Sequence, residues 1–264
     1  MEEEDVRPLC LDHLSLYDVP ALELIEIAAE LGCDAVSLFV TPGALGPYLD
    51  LTRDKAAKAD VLSALRGNGL AVGIVEPFML TPDPDWDLLE RSAAVAAELG
   101  GTVNALCFDN EPARQQDSFA RLARIARAAG ARMVVEGFTL SSVRTLAEAL
   151  AIADTVGPQI GLTVDTLHII RTGGSWQELA ALPQERIVHV QINDGPLTAP
   201  TDLMREATIS RHPPGAGEFD LAALIPLVPS SAMLAVEAPF DAPPGTTPLE
   251  RARTIVNATR ALLA

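Results

Sequence analysis

The stretch "RMVVEGFTLSSVRTLAEALAIADTVGPQIGLTVD", residues 132–165, decides the fold. A short apolar run, "RMVVEG" (132–137), leads into an amphipathic stretch, "SSVRTLAEALAIADTVG" (141–157), and then a second apolar run, "IGLTVD" (160–165). The outer runs have strand length, and the middle repeats its apolar residues at helical spacing. A strand, a helix and a strand in that order make a βαβ unit, whose strands pair in parallel.

The same alternation extends in both directions. Further strand candidates are "VRPLCL" (6–11), "AVSLFV" (35–40), "LAVGIVE" (70–76), "TVNALCF" (102–108), "RIVHVQI" (186–192) and "AMLAVEA" (232–238), eight in all. Helical patterns separate them at 20–32, 53–69, 85–100, 117–130, 175–182, about 220–227 and 247–264. Gly in "ELG", "AAG" and "TVG" sits where helices end and a left-handed cap is wanted, and Pro20 sits near a helix start. Eight such units predict a closed (β/α)8 barrel. An open doubly wound sheet is the alternative, but no "GxGxxG" follows the first strand. With no linker, repeat of another period or low-complexity segment, residues 1–264 read as one domain.

Composition narrows the function. A net charge of −17 argues against a surface that tracks a phosphate backbone or an anionic membrane. Three cysteines, an odd count without metal-site spacing, point to a reducing compartment. The acidic start "MEEEDVRPLC" lacks the basic region of a signal peptide, and no apolar run reaches membrane-span length. The expectation is a cytoplasmic protein without nucleic-acid or membrane partners.

In a barrel of this kind the reactive groups lie at the C-terminal ends of the strands. There the sequence places Glu136, Asp165 followed by His168, Gln191 followed by Asp194, and Glu237. Three acids converging in a partly dry site repel one another unless their pKa values rise or a cation neutralises them. Carboxylate and amide oxygens are hard ligands and favour Mg2+ or Mn2+ over Zn2+. On this reading Asp165 coordinates one divalent metal ion, the lesser alternative being a cap on a helix beginning at "DTLH". Glu136 and Glu237 could be solvated loop residues, and Gln191 could merely satisfy backbone groups.

At these positions the chain resembles the xylose isomerase-like barrel superfamily, the sugar phosphate isomerase/epimerase group. The likeness is carried by "LELIEIAAELGCDAVSLF", "VVEGF", "DTLHIIRTGG", "HVQINDGP", "RHPPGAGEFD" and "AVEAPF". It implies four strand-end metal ligands, which fall by position on Glu136, Asp165, Gln191 and Glu237. Many sugar epimerases of the group carry His where this chain has Gln191. Gln there resembles a subset that includes 3-dehydroshikimate dehydratases.

The resemblance implies α-proton abstraction from a small polyhydroxy carbonyl substrate through an enediolate, with Glu136 and Glu237 as base and acid. His168 could hold a substrate oxygen or shuttle a proton, or simply pack at a helix start. Arg211, in the Gly/Pro-rich loop after the seventh strand, could bind a substrate oxygen or lie on the surface. His13, after the first strand, and Glu76, at the end of the third, could line the pocket. His189 reads as a hydrogen-bonded barrel residue, and "TGGS" (172–175) as a turn. Aromatic residues in the loops 41–51 and 76–86 could wall the ligand. The first expectation is a metal-dependent isomerase or epimerase, and the second a dehydratase on the same scaffold. A DNA repair endonuclease is disfavoured by charge and by only four histidines. A non-catalytic barrel is disfavoured because all four ligand positions carry oxygen donors. Barrels of this kind often pair, so a homo-oligomer is one option and the oligomeric state stays open.

Overall fold

The computed structural model describes residues 7–264. Its strands are β1 (Leu9–Leu11), β2 (Ala35–Phe39), β3 (Ala71–Leu80), β4 (Thr102–Cys107), β5 (Met133–Glu136), β6 (Gly161–Asp165), β7 (Ile187–Ile192) and β8 (Met233–Val236). Each pairs in parallel with the next, and β8 returns to β1, closing the barrel in sequence order. The helices are α1 (Ala21–Glu30), α2 (Lys55–Asn68), α3 (Trp86–Leu99), α4 (Pro112–Ala129), α5 (Leu146–Val156), α6 (Thr166–Arg171), α7 (Trp176–Ala181), α8 (Leu203–Ile209), α9 (Leu221–Leu224) and α10 (Pro248–Leu263).

Several boundaries differ from the sequence reading, each for a local reason. Strand β1 is shorter than 6–11, and Val6 lies outside the described residues. Helix α4 begins five residues earlier than expected, because Glu111 caps it by accepting from Ala113 N and Arg114 N, with Pro112 at the first helical position. Helix α5 begins five residues later, at a capping box in which Thr145 and Glu148 exchange side-chain and backbone bonds. Gly100 and Gly130 close α3 and α4 in the left-handed conformation, whereas Gly157 closes α5 at φ 148° and ψ 162°. The loop after β7 holds α8, which the sequence reading left out. Strand β3 continues to Leu80, so Glu76 lies within it, at a register shift between Val75 and Phe78 against β4, rather than at its end.

The main core lies between barrel and helices. Leu11, Val36, Val103, Val135, Val164 and Val236 face outward into it, meeting Leu24, Leu65, Ala96, Leu122 and Ile255 from the helices. The barrel interior is different: small or polar. Cys10, Ala35 and Ala235 form a separate cluster, and a side chain at Gly73 would press on His189, Cys10 and Ser37. A slim interior leaves room for charged groups at the mouth. No described helix is long and apolar enough to cross a membrane.

Phe119 on α4 is fully buried in the outer core. Phe119→Ala is expected to cost about 3–5 kcal/mol of stability, measured by urea unfolding, through lost burial and the cavity left behind.

Candidate active site

Parallel pairing sets the expected ligands side by side. Asp165 is the last residue of β6 and stands in register with Gln191 of β7. Glu136 ends β5, and Glu237 follows the last residue of β8. All four are buried, from 0% exposure at Gln191 to 5% at Glu136. None is a solvated loop residue.

Arg211 joins them. It is 2% exposed, and its Nη1 lies 2.7 Å from Asp165 Oδ2 and 2.9 Å from Glu237 Oε2. Ala207 O, on α8, accepts from Nε and Nη2 at 3.0 and 2.8 Å, and Glu237 O accepts from Nη1 at 3.1 Å. The guanidinium thus bridges two expected metal ligands, so neither a solvated loop position nor a purely substrate-directed one describes it. Burial would lower its pKa, but Asp165 and Glu237 outweigh that and hold it charged.

Asp165 has both roles that the sequence left open. Its Oδ1 caps α6 by accepting from Leu167 N at 2.7 Å, and also accepts from Asn193 Nδ2 at 2.9 Å, while Oδ2 takes Arg211. Burial pushes its carboxyl up, yet Arg211, His168 and the bond from Asn193 hold it well below the usual carboxylate range.

Glu136 has the opposite setting. Burial and the charge of Asp165 push it up to about 8, against the bond from Asn104 and the pull of Arg211. His168 Nε2 lies 3.7 Å from Glu136 Oε1 and 3.8 Å from Asp165 Oδ2. Its Nδ1 hydrogen-bonds Thr139 Oγ1 at 3.2 Å, and Phe138 meets the ring edge-on at 4.5 Å. Burial lowers its pKa to about 4, so the imidazole is neutral at pH 7.

Two polar residues tie the cluster together from positions that the sequence reading passed over. Asn104 Nδ2 donates to Glu136 Oε2 at 2.6 Å and to Glu76 Oε2 at 3.3 Å, and Asn104 Oδ1 accepts from Thr163 Oγ1. Asp12 Oδ2 accepts from Gln191 Nε2 at 3.0 Å and from His189 Nε2 at 3.2 Å. His189 is therefore a hydrogen-bonded barrel residue. Asp12 follows β1 in "LCLD", the same strand-end position as the other acids, and Asn104 interrupts the apolar run "TVNALC"; either signal could have found them.

The remaining expectations divide. Glu76 joins the cluster, with burial, Asp12 and Glu136 pushing its carboxyl well above the ordinary range. His13 stands apart: Phe39 N donates to its Nδ1 and its Nε2 donates to Val19 O, so both ring nitrogens serve the backbone. Of the loop aromatics, Tyr48 stacks on Phe39 at 4.5 Å, whereas Trp86 packs under Arg121 at 4.1 Å on the helical surface.

Five buried carboxylates thus face one guanidinium. Because Gln191 gives its amide N–H to Asp12, its Oε1 is buried without a partner among the described residues. One ligand atom each from Glu136, Asp165 and His168 lie within 4.8 Å of one another. An orphaned amide oxygen beside surplus carboxylates fits a divalent cation, which would supply the missing positive charge.

A sequence profile of the family described as "Xylose isomerase-like TIM barrel" matches residues 25–252. A curated relative, 3-dehydroshikimate dehydratase of Pseudomonas aeruginosa, is 29% identical over 224 residues, covering 79% of this chain and 34% of that protein. This chain thus spans about a third of that relative's length. A solved structure of the IolI protein with a bound zinc atom superposes with a TM-score of 0.78 at 19% identity, covering 97% of this chain and 98% of the other. A D-psicose 3-epimerase solved in the presence of D-fructose gives 0.75 at 14% identity, covering 96% and 97%. Likenesses at these identities establish the shared fold.

The charge surplus sets a pH dependence. Glu136, at about 8 folded against 4.5 in the unfolded chain, binds more protons when folded throughout that interval, so stability falls as pH rises through it. His13 and His168, lowered from 6.5 to about 4, act in the opposite sense, but only below about 6.5. Between about pH 6.5 and 8 the melting temperature of chelated protein is expected to fall, and stabilisation by Mn2+ to grow as the metal displaces protons. Thermal denaturation across that range with chelator or Mn2+ checks this; a flat profile with no metal effect counts against a cation site.

Proposed function

Because this chain belongs to the xylose isomerase-like TIM barrel family, we propose that it is a divalent-metal-dependent dehydratase acting on a small polyhydroxylated ketone of the 3-dehydroshikimate type. The observation that carries this reading is the asymmetry of the site's bases. His168 Nε2, neutral and 3.7 Å from Glu136 Oε1, makes no hydrogen bond among the described residues, while Glu237 is tied to Arg211 at 2.9 Å. Inverting a carbon requires an acid and a base on its two faces. Eliminating water needs only one group that takes a proton and returns it to the departing hydroxyl. The dehydratase relative and the Gln at position 191 support the same reading.

Glu136, Asp165, Gln191 and Glu237 would hold Mn2+ or Mg2+, which when bound supplies polarisation of a substrate carbonyl and so acidifies the adjacent C–H. His168 Nε2 takes the α-proton. The C–H electron pair forms the new double bond to the β-carbon as the β C–O bond breaks. The imidazolium, which faces Asp165 Oδ2 at 3.8 Å, returns the proton to the departing oxygen, which leaves as water. Thr139, bonded to Nδ1, fixes the ring orientation.

The isomerase or epimerase reading stands second, favoured by Glu136 and Glu237 approaching from different strands. In either case the barrel, proposed as one domain across residues 1–264, is the catalytic unit and its ligand a small polyhydroxy carbonyl compound.

Metal-loaded protein incubated in D2O with 3-dehydroshikimate, and separately with D-fructose, separates the two by proton NMR. The expected result is loss of water from the first, giving an aromatic dihydroxybenzoate, with kcat falling at least about 100-fold in His168→Asn. Deuterium entering the keto-sugar without loss of water would replace the dehydratase reading with the isomerase one.

A further inference from the structure

Two buried oxygens on the side of the mouth across from β6 and β7 have no hydrogen-bond partner among the described residues: Glu76 Oε1 and Tyr48 Oη. Their placement is tightly determined. Phe39, the last residue of β2, stands in register with Glu76. Tyr48 stacks on Phe39 with rings 4.5 Å apart and 22° from parallel, and meets His13 edge-on at 5.0 Å. His13 is itself locked by Val19 O and Phe39 N. Gly46 lets the loop pass directly over the Tyr17 carbonyl, which any Cβ there would overlap, and its own carbonyl accepts from Tyr48 N at 2.9 Å. Leu14, Phe39 and Tyr48 form an apolar cluster separate from the main core.

The ring of Tyr48 is thus packed while its hydroxyl bonds nothing among the described residues. A phenylalanine would fill the same space without burying an unsatisfied group, which ordinarily costs stability. Burial, followed by the charge of Glu76, keeps the phenol protonated, so it remains a donor.

We propose that Tyr48 and Glu76 form a subsite that reads one substrate hydroxyl, on the β2–β3 side of the mouth. The proposal rests on the reading of the substrate as a polyhydroxylated carbonyl compound. A hydroxyl both accepts and donates, so one such group satisfies the phenol and the carboxylate together. A carbonyl or an anionic oxygen accepts but cannot donate, so it would satisfy the phenol while offering no hydrogen to an unprotonated Glu76 Oε1. A substrate lacking the hydroxyl would leave two buried polar atoms unpaired, and such sites discriminate strongly.

The test uses shikimate, a hydroxylated ring without the ketone, titrated calorimetrically into metal-loaded wild type and Tyr48→Phe. Binding is expected to weaken about tenfold in the variant, with Mn2+ affinity unchanged and melting temperature unchanged or raised, because the ring remains stacked and the unsatisfied hydroxyl is gone. Equal affinities would overturn the subsite. So would a parallel loss of melting temperature or Mn2+ affinity, which would make Tyr48 structural. If wild type neither binds shikimate nor dehydrates 3-dehydroshikimate, the dehydratase reading fails, and the same titration with D-fructose decides the subsite. Tenfold weakening there supports it, whereas equal affinity, or no binding by either protein, overturns it.

Discussion

Five carboxylates, Asp12, Glu76, Glu136, Asp165 and Glu237, are buried in the barrel mouth against one guanidinium, Arg211. An ionised carboxylate stripped of water is tolerated only when it is paired and hydrogen-bonded. The protein meets part of that demand with neutral donors. Asn104 bridges Glu76 and Glu136, Gln191 and His189 serve Asp12, and Asn193 serves Asp165. What these donors leave unmet separates the acids: Asp165 is driven down and Glu136 up to about 8. Such a spread keeps one carboxyl ionised and another protonated near neutral pH.

A buried guanidinium imposes its own requirement, since its donors need acceptors in fixed places. The long segment after β7 supplies them. Asp194 organises it by accepting from Gly195 N, Gly215 N and Phe219 N. Arg171 at the end of α6 grips Glu206 of α8 through two bonds, at 2.7 and 2.5 Å. Helix α8 then presents Ala207 O to Arg211. A chain of contacts therefore runs from the outer helices to Asp165, and the charge balance of the site depends on a loop that composition alone would class as solvated.

Much of this was legible beforehand. Strict alternation of apolar runs with amphipathic stretches, as in 132–165, leaves parallel pairing as the only economical arrangement, and eight repeats close it into a barrel. Strand-end polarity then marked Glu136, Asp165, Gln191 and Glu237, because an acid that ends an apolar run must lie at the mouth. Strand β3 was misjudged at Glu76 because the residues beyond it, "PFML", begin with a proline that ordinarily closes a strand. Helix α8 was missed because seven residues between turn-rich segments carry little periodicity.

By itself the sequence determined the fold class, the strand order and the strand-end places of Glu136, Asp165, Gln191 and Glu237, since periodicity and chain order are local properties that survive without coordinates. Only the tertiary structure decided what those residues do to one another. Arg211 lies 46 residues beyond Asp165 yet touches it, Asp12 lies 179 residues before Gln191 yet orients it, and His13 turns its ring to the backbone instead of the site. Charge, desolvation and hydrogen-bond pairing act through space over a few ångströms, and barrel closure alone sets which distant residues come that near.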